Sequence, residues 1–392
     1  MVEQEVGTAI EPVVVPFAAP YLGSEEQQAV LSVVESGWIG TGEVARDTES
    51  RFATYLNVPH ALLLSSGTAA LHLALLGLGV GAGDEVVVPT VTFTATAATV
   101  VHAGARPVLV DVEPETLNID LESARRALTP RTKALVIVHM SGRMADVRAA
   151  RKFCDEHGLR LVEDSAHALP AERDGITPGA LSDAAAFSFF VTKPLTSAEG
   201  GLLVTPHADV EQRCRVLSRH GIDRSTHDRH RFGRSPHYDV VAAGFKYNLP
   251  DILAAVLRCQ LARADELHAR RAGIARIYLE GLDGVPGLDL PPADTRTNRS
   301  SWYLFIVRIP AHLKRDELAT RLAADGVGTS VHLRPLHQFS YYADHFPTDP
   351  AHVRVADEVY PRLLSLPIFP AMTDEQVAHV VSTVRRHAMA RS

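Results

Sequence analysis

One lysine stands out by what surrounds it. Lys193 follows the apolar run Ala184 to Val191 and precedes a glycine pair, Gly200-Gly201, and a second apolar run, Leu202 to Val204. This pattern predicts an amine at the end of one buried strand, close to a tight return into the next. A buried lysine is costly and shifts toward its neutral form. A neutral amine attacks carbonyl carbons and forms Schiff bases. Asp164 ends the run Leu159 to Glu163 and so falls at the carboxyl end of a predicted strand as well. A carboxylate there can keep a pyridine nitrogen protonated, the state in which pyridoxal phosphate (PLP) acts as an electron sink. The plainer account of Asp164 is a cap on the following turn. His167 can support Asp164 or cover such a ring, or be a structural histidine.

A phosphate needs its own donors. Ser65-Ser66-Gly67-Thr68 is a small-residue turn that opens a predicted helix, Thr68 to Leu78. The free N–H groups and dipole of a first helical turn suit a phosphate, although the same residues serve equally as an ordinary N-cap. Ser188, five positions before Lys193, is a second hydroxyl for the same phosphate. Phe93 can stack on a planar ring or belong to the core.

The scaffold that must hold these residues alternates between strand and helix from about Ser65 to Val204. Apolar runs at 85–89, 107–111, 134–138 and 159–163 come between helical stretches such as Asp146 to His157. Continuous apolar runs suit strands covered on both faces, and the alternation predicts a mostly parallel α/β sheet. Ligands then collect outside the carboxyl ends of the strands. Beyond residue 205 the pattern changes. Leu249 to Arg276 reads as one long helical stretch. A smaller C-terminal α+β domain follows, with strands at Trp302 to Ile309 and Gly328 to Leu333 and helices at Lys314 to Asp325 and Thr373 to Arg386. The expected division is 1–264 for an N-terminal arm and large domain, and 265–392 for the small domain.

The glycines of Gly77 to Gly83 mimic a dinucleotide fingerprint. That fingerprint needs a strand before it and a helix after it; here the order is reversed, so a nicotinamide site is disfavoured. The net charge of −7 disfavours nonspecific nucleic-acid binding. The three cysteines, Cys154, Cys214 and Cys259, form no metal signature and suit a reduced, cytoplasmic protein. The acidic N-terminus lacks a basic leader region, and no apolar stretch is long enough to span a bilayer. A soluble protein with no membrane partner and no metal is expected.

Singly these signals are modest, but their order is specific. Ser-Gly-Thr-Ala-Ala-Leu at 66–71, Pro-Thr-Val-Thr-Phe at 89–93, Val-His-Met-Ser-Gly at 138–142, Glu-Asp-Ser-Ala-His-Ala at 163–168 and the Lys193 segment resemble the DegT/DnrJ/EryC1/StrS sugar aminotransferases. So do Gly244 to Asp251 and Val331 to His337, and the resemblance runs from about Pro16 to the C-terminus. It implies the fold-type I PLP-dependent aminotransferase architecture and a homodimer with active sites at the subunit interface. Carried over by motif, Lys193 is the Schiff-base lysine and Asp164 pairs with the pyridine nitrogen. His167 takes a position near the ring that is often Gln. Phe93 takes the stacking position, and Ser66, Gly67, Thr68 and Ser188 hold the phosphate. Asn248 matches an asparagine that reaches the phosphate from the partner subunit, and His332 borders the substrate cleft. Two departures are expected to reshape the pocket wall: Pro170 stands where relatives usually have Gly, and Ser197-Ala198 where Thr-Gly is common. Related dehydratases carry His in place of the lysine, so Lys193 favours transamination.

The resemblance extends to chemistry. It implies transfer of an amine from a donor, expected to be L-glutamate, to a nucleotide-linked keto-sugar, expected to be a dTDP-4-keto-6-deoxyhexose. Seven arginines crowd the stretch before Asn248, at 213, 215, 219, 224, 229, 231 and 234. A diphosphate needs such donors, though a solvated loop explains most of them. Arg229 and Lys246 are the expected substrate cations. Histidines at 220, 227, 230 and 237 share this stretch but fit no zinc signature. The rival readings are amination at C3 or of a cyclitol ketone, and a PLP-binding regulatory protein without turnover.

Overall fold

The computed structural model describes residues 13–223 and 237–389. Its centre is a seven-stranded sheet. The strands are β1 (His60–Leu64), β2 (Glu85–Pro89), β3 (Arg106–Val110), β4 (Thr132–Val138) and β5 (Arg160–Asp164), then, after the two-residue β6 (Glu172–Arg173) outside this sheet, β7 (Ala184–Ser188) and β8 (Gly201–Thr205). The order across the sheet is β1-β8-β7-β5-β4-β2-β3. All neighbours from β3 to β7 are parallel; β8 alone runs against them, antiparallel to both β7 and β1. Successive residues of a strand face opposite sides. Val86 and Val88 accordingly join the core beneath helix Gly67–Gly77, while Val87 joins the core around Phe153 on the other face. Both faces are covered, which is why these strands are apolar throughout.

The Gly77-to-Gly83 run lies between helix Gly67–Gly77 and strand β2, as its context requires. Helix Val147–His157 is capped by Asp146, whose carboxylate accepts from the Ala149 N–H at 2.9 Å.

A second core gathers Val15 of the N-terminal arm with Phe305, Leu366, Val380 and the later part of helix Ala264–Leu282. It encloses the antiparallel pair β10 (Phe305–Arg308) and β11 (Leu363–Leu366), while β9 (Asn298–Arg299) pairs with β6. The expected boundary near residue 265 falls at the start of helix Ala264–Leu282. Its first residues, Ala264 and Leu267, pack in the core of the large sheet, and Ile274 to Leu282 pack in the second core.

Three expectations need correction. The stretch Leu249 to Arg276 is two helices, Asp251–Ala262 and Ala264–Leu282, broken at Arg263. The strand expected from Trp302 begins only at Phe305, because Trp302 has φ +52° and turns the chain out of extended geometry. Gly328 to Leu333 forms no continuous strand. Ser330 makes a single bridge to Ser365, and the neighbouring Val327 makes one to Val15.

Candidate active site

The chain segments that leave the carboxyl ends of β1, β2, β5 and β7 converge on one cavity of about 510 Å³. It is lined by Ser66, Gly67, Thr68, Phe93, Asp164, His167, Ser188, Lys193 and His332, nine of the sequence-derived candidates. Phe17 of the arm, Glu199 and Tyr303 also line it, and none of these three was singled out as a site residue in the sequence.

Lys193 is not at a strand end. Strand β7 stops at Ser188, and Lys193 lies in the turn beyond it, half-buried. The apolar run misleads because Phe189 continues into the core while Phe190 is exposed. Backbone hydrogen bonds fold this turn back: the Lys193 N–H donates to the Phe190 carbonyl at 2.9 Å, and the Ser197 N–H to the Phe189 carbonyl at 3.0 Å.

The phosphate turn has the close approach that its glycines imply. Ser66 caps helix Gly67–Gly77, its hydroxyl accepting from the Ala69 N–H at 3.1 Å. A Cβ on Gly67 would lie 2.8 Å from the Ser188 Cβ, and one on Gly201 would lie 2.1 Å from the Ser66 carbonyl oxygen. Glycine at both positions lets the helix N-terminus press against the ends of β7 and β8. The Ser66 and Ser188 side chains therefore lie around one spot at the positive end of a helix.

Asp164 is buried and held by neutral donors. Thr96 Oγ1 donates to Oδ2 at 2.7 Å, and the Ala166 N–H donates to Oδ1 at 3.2 Å. Thr92 Oγ1 lies 2.7 Å behind Thr96 Oγ1, extending a hydroxyl chain. Burial pushes the Asp164 carboxyl above the usual range; the Thr96 hydroxyl, the Ala166 N–H and then the charges of Lys193 and His139 oppose this. His167 is buried, and its Nδ1 has no hydrogen-bond partner among the described residues. Burial, with help from Lys193, His332 and His139, drives its imidazole well below the ordinary histidine value, so it is neutral. Burial and then Lys193 push His332 down to about 4. Its Nδ1 lies 2.9 Å from Ser365 Oγ, and its ring stacks on Phe17 with centroids 5.3 Å apart.

Asn248 and Lys246 lie elsewhere on the chain. They border a second cavity of about 390 Å³ with Trp38, Thr41, Arg215 and Arg219. Asn248 Nδ2 donates to Thr41 Oγ1 at 2.6 Å, and its Oδ1 is buried without a hydrogen-bond partner among the described residues. Three of the crowded arginines have structural work. Arg213 donates to the Gly77 carbonyl, Arg215 binds Glu49 at 2.9 Å, and Arg219 Nε donates to the Arg215 carbonyl at 3.2 Å. Arg224, Arg229, Arg231 and Arg234, with His227 and His230, lie outside the described residues.

A helix N-terminus for a phosphate, a buried carboxylate for a ring nitrogen, an orphaned imidazole nitrogen and a reactive amine in one cavity fit PLP by the chemistry of their donors. Comparison with known proteins agrees. The chain is a fold-type I PLP-dependent aminotransferase in architecture. It superposes with a TM-score of 0.87 on Spr1654 from Streptococcus pneumoniae in its PLP form, at 30% identity over 96% of this chain and 99% of that one; the same protein is also known in a PMP form. The aminotransferase TlmJ from Streptoalloteichus hindustanus matches with a TM-score of 0.89 at 35% identity, covering 96% of this chain and 99% of TlmJ. The chain belongs to the DegT/DnrJ/EryC1/StrS aminotransferase family, whose model matches residues 20–385. The spore coat polysaccharide biosynthesis protein SpsC of Bacillus subtilis is 39% identical over 374 residues, 94% of this chain and 96% of SpsC. The activity is PLP-dependent sugar transamination. No helix among the described residues is long and apolar enough to cross a membrane.

Proposed function

We propose that this enzyme moves an amino group from L-glutamate to a nucleotide-linked 4-keto-6-deoxyhexose, releasing 2-oxoglutarate and an amino sugar. The observation that carries the catalytic assignment is the shared cavity, in which Asp164 ends one strand and Lys193 follows its parallel neighbour beside the Gly67 turn. When bound, PLP supplies the electron sink for loss of a proton from the donor's Cα. Lys193 anchors the cofactor and, once freed, carries that proton as a general base and returns it as an acid. Asp164 faces the ring nitrogen as an anion. Ser66, Gly67, Thr68 and Ser188 take the phosphate, Phe93 covers one ring face, and neutral His167 borders the ring. His332 borders the substrate.

Asn248 lies outside its own chain's Lys193 cavity with an unpartnered oxygen. We assign it to the phosphate of a second copy, which makes the enzyme a homodimer with shared sites. Lys246 and Arg219 flank it and suit a nucleotide diphosphate, with Arg229 as the further candidate from sequence. A dimer mixed from Lys193→Ala and Asn248→Ala chains then keeps one intact site, and its activity exceeds that of either parent.

Incubating the enzyme with glutamate and a panel of keto-sugar nucleotides tests the substrate class. Product mass and the position of the new amine are the readouts. Amination at C4 of a nucleotide sugar is expected. Exclusive amination at C3, or of a free cyclitol ketone, contradicts the assignment, and the absence of any amino product under these conditions overturns it.

A further inference from the structure

Tyr303 lies in the stretch that sequence periodicity assigns to a strand, yet it is turned into the cavity. Its segment is docked onto the large domain by backbone bonds: the Ser301 N–H donates to the Gly142 carbonyl at 3.0 Å, and the Leu304 N–H to the Ser141 carbonyl at 3.3 Å. The phenol oxygen of Tyr303 lies 3.2 Å from Thr192 Oγ1, on the residue just before Lys193. The His167 ring packs on Tyr303 with centroids 4.5 Å apart. Lys193 Nζ stands 4.3 Å from the centre of the Tyr303 ring. Among the described residues Nζ has no hydrogen bond or ion pair, so the ring face is its one polar rest.

We propose that Tyr303 is the positioning residue for Lys193, cradling the amine on its ring face whenever the lysine is free of the cofactor. An ammonium within about 6 Å of an aromatic centroid is attracted to the face of the ring. That attraction has no fixed direction and vanishes when the amine loses its proton. A carboxylate partner would pin the ammonium and resist its neutralisation; an aromatic face holds the amine near the cavity and leaves its lone pair unencumbered when neutral. The Thr192 contact fixes the ring relative to the turn that carries Lys193. Asp164, His167 and His332 are the other titratable groups in electrostatic contact with this amine, and Glu199 lines the same cavity. Their influence is common to the variants compared below.

The assignment rests on Lys193 as the reactive amine, and its test needs neither cofactor nor substrate. Full-length protein stripped of cofactor is labelled with limiting acetic anhydride across a range of pH. Acylation of Lys193 is read by peptide mass spectrometry against exposed Lys133. Tyr303→Leu should label about five-fold faster than wild type at neutral pH, because loss of the ring disfavours the unreactive ammonium. The two rates should converge at high pH, where both amines are neutral. Tyr303→Phe keeps the ring face and should stay within about two-fold of wild type. Where leucine unfolds the chain, a series of increasingly fluorinated phenylalanines at position 303 replaces it, and labelling should rise with each fluorine. A folded leucine variant with the wild-type rate, a difference that persists at high pH, a phenylalanine variant as fast as leucine, or a flat fluorine series each overturns the assignment. Because labelling is read without cofactor, such a failure leaves the PLP chemistry of Lys193 standing, to be judged by covalent capture of the cofactor.

Discussion

Asp164 and Asp183 are both buried carboxylates at opposite edges of neighbouring strands, one ending β5 and the other just before β7. Asp183 is surrounded by cations and donors. It accepts from Arg151 at 2.9 Å, Arg160 at 3.2 Å, His207 at 3.1 Å and the Leu161 N–H at 2.8 Å. Burial raises its carboxyl, but the Leu161 N–H, Arg151 and His207 outweigh burial and leave it below the usual range. Asp164 has hydrogen-bond donors that are neutral only, and its carboxyl stays above that range. The difference separates a structural carboxylate from a chemical one. At the amino end of β7 the charge of Asp183 is matched within the chain. At the carboxyl end of β5, Asp164 has no ion-paired cation among the described residues, which suits the proposed partner, a protonated pyridine nitrogen.

Replacing each aspartate by its amide breaks the comparison most severely. Asp164→Asn should lower turnover by on the order of a hundred-fold or more, since it removes a preorganised charge from the reacting ring. Its thermal midpoint should not fall. Asp183→Asn should do the reverse, retaining turnover per folded molecule while losing about 2 kcal/mol of stability in a denaturant titration, a value reduced for the partial exposure of its arginine partners. If both variants lose activity and stability together, the distinction fails.

Thr96 sharpens the same point. Thr96→Val removes the hydroxyl nearest Asp164 and should cost about ten-fold in turnover, with Thr96→Ser restoring most of it. Cofactor affinity measured by fluorescence should weaken in parallel for valine alone.

The last expected effect concerns pH. His332 is held down at about 4 in the folded chain against 6.5 when unperturbed. The unfolded chain therefore binds the proton first as pH falls. The contribution of neutral His332 is fully present above about 6.5 and is lost as pH drops toward about 4, at no more than about 1.4 kcal/mol per pH unit. His332→Asn should flatten stability across that window, while the carboxylate-dependent loss at lower pH remains. An unchanged slope between those values would show that His332 does not titrate there.

Much of this site is written in local patterns. Gly67, Asp164 and Lys193 belong to short contiguous motifs, and the apolar runs locate most strands. The partners of those residues are less legible. Thr96 reaches Asp164 across 68 positions of sequence, and a threonine in a helix carries no mark of that contact. Periodicity alone puts Tyr303 in a strand, because nothing in the sequence announces that Trp302 adopts a left-handed conformation. The apolar run before Lys193 does not say where pairing stops: it continues to Val191, whereas β7 ends at Ser188. Asn248 was legible only through resemblance, since its proposed use requires a second copy of the chain.

The central claim is that Lys193 is the amine that binds the cofactor, and covalent capture tests it most directly. The protein is loaded with PLP, reduced with borohydride, digested and mapped by mass. The cofactor is expected on Lys193 alone, with none captured by a folded Lys193→Ala protein. Capture on another lysine, or undiminished capture by Lys193→Ala, would contradict it.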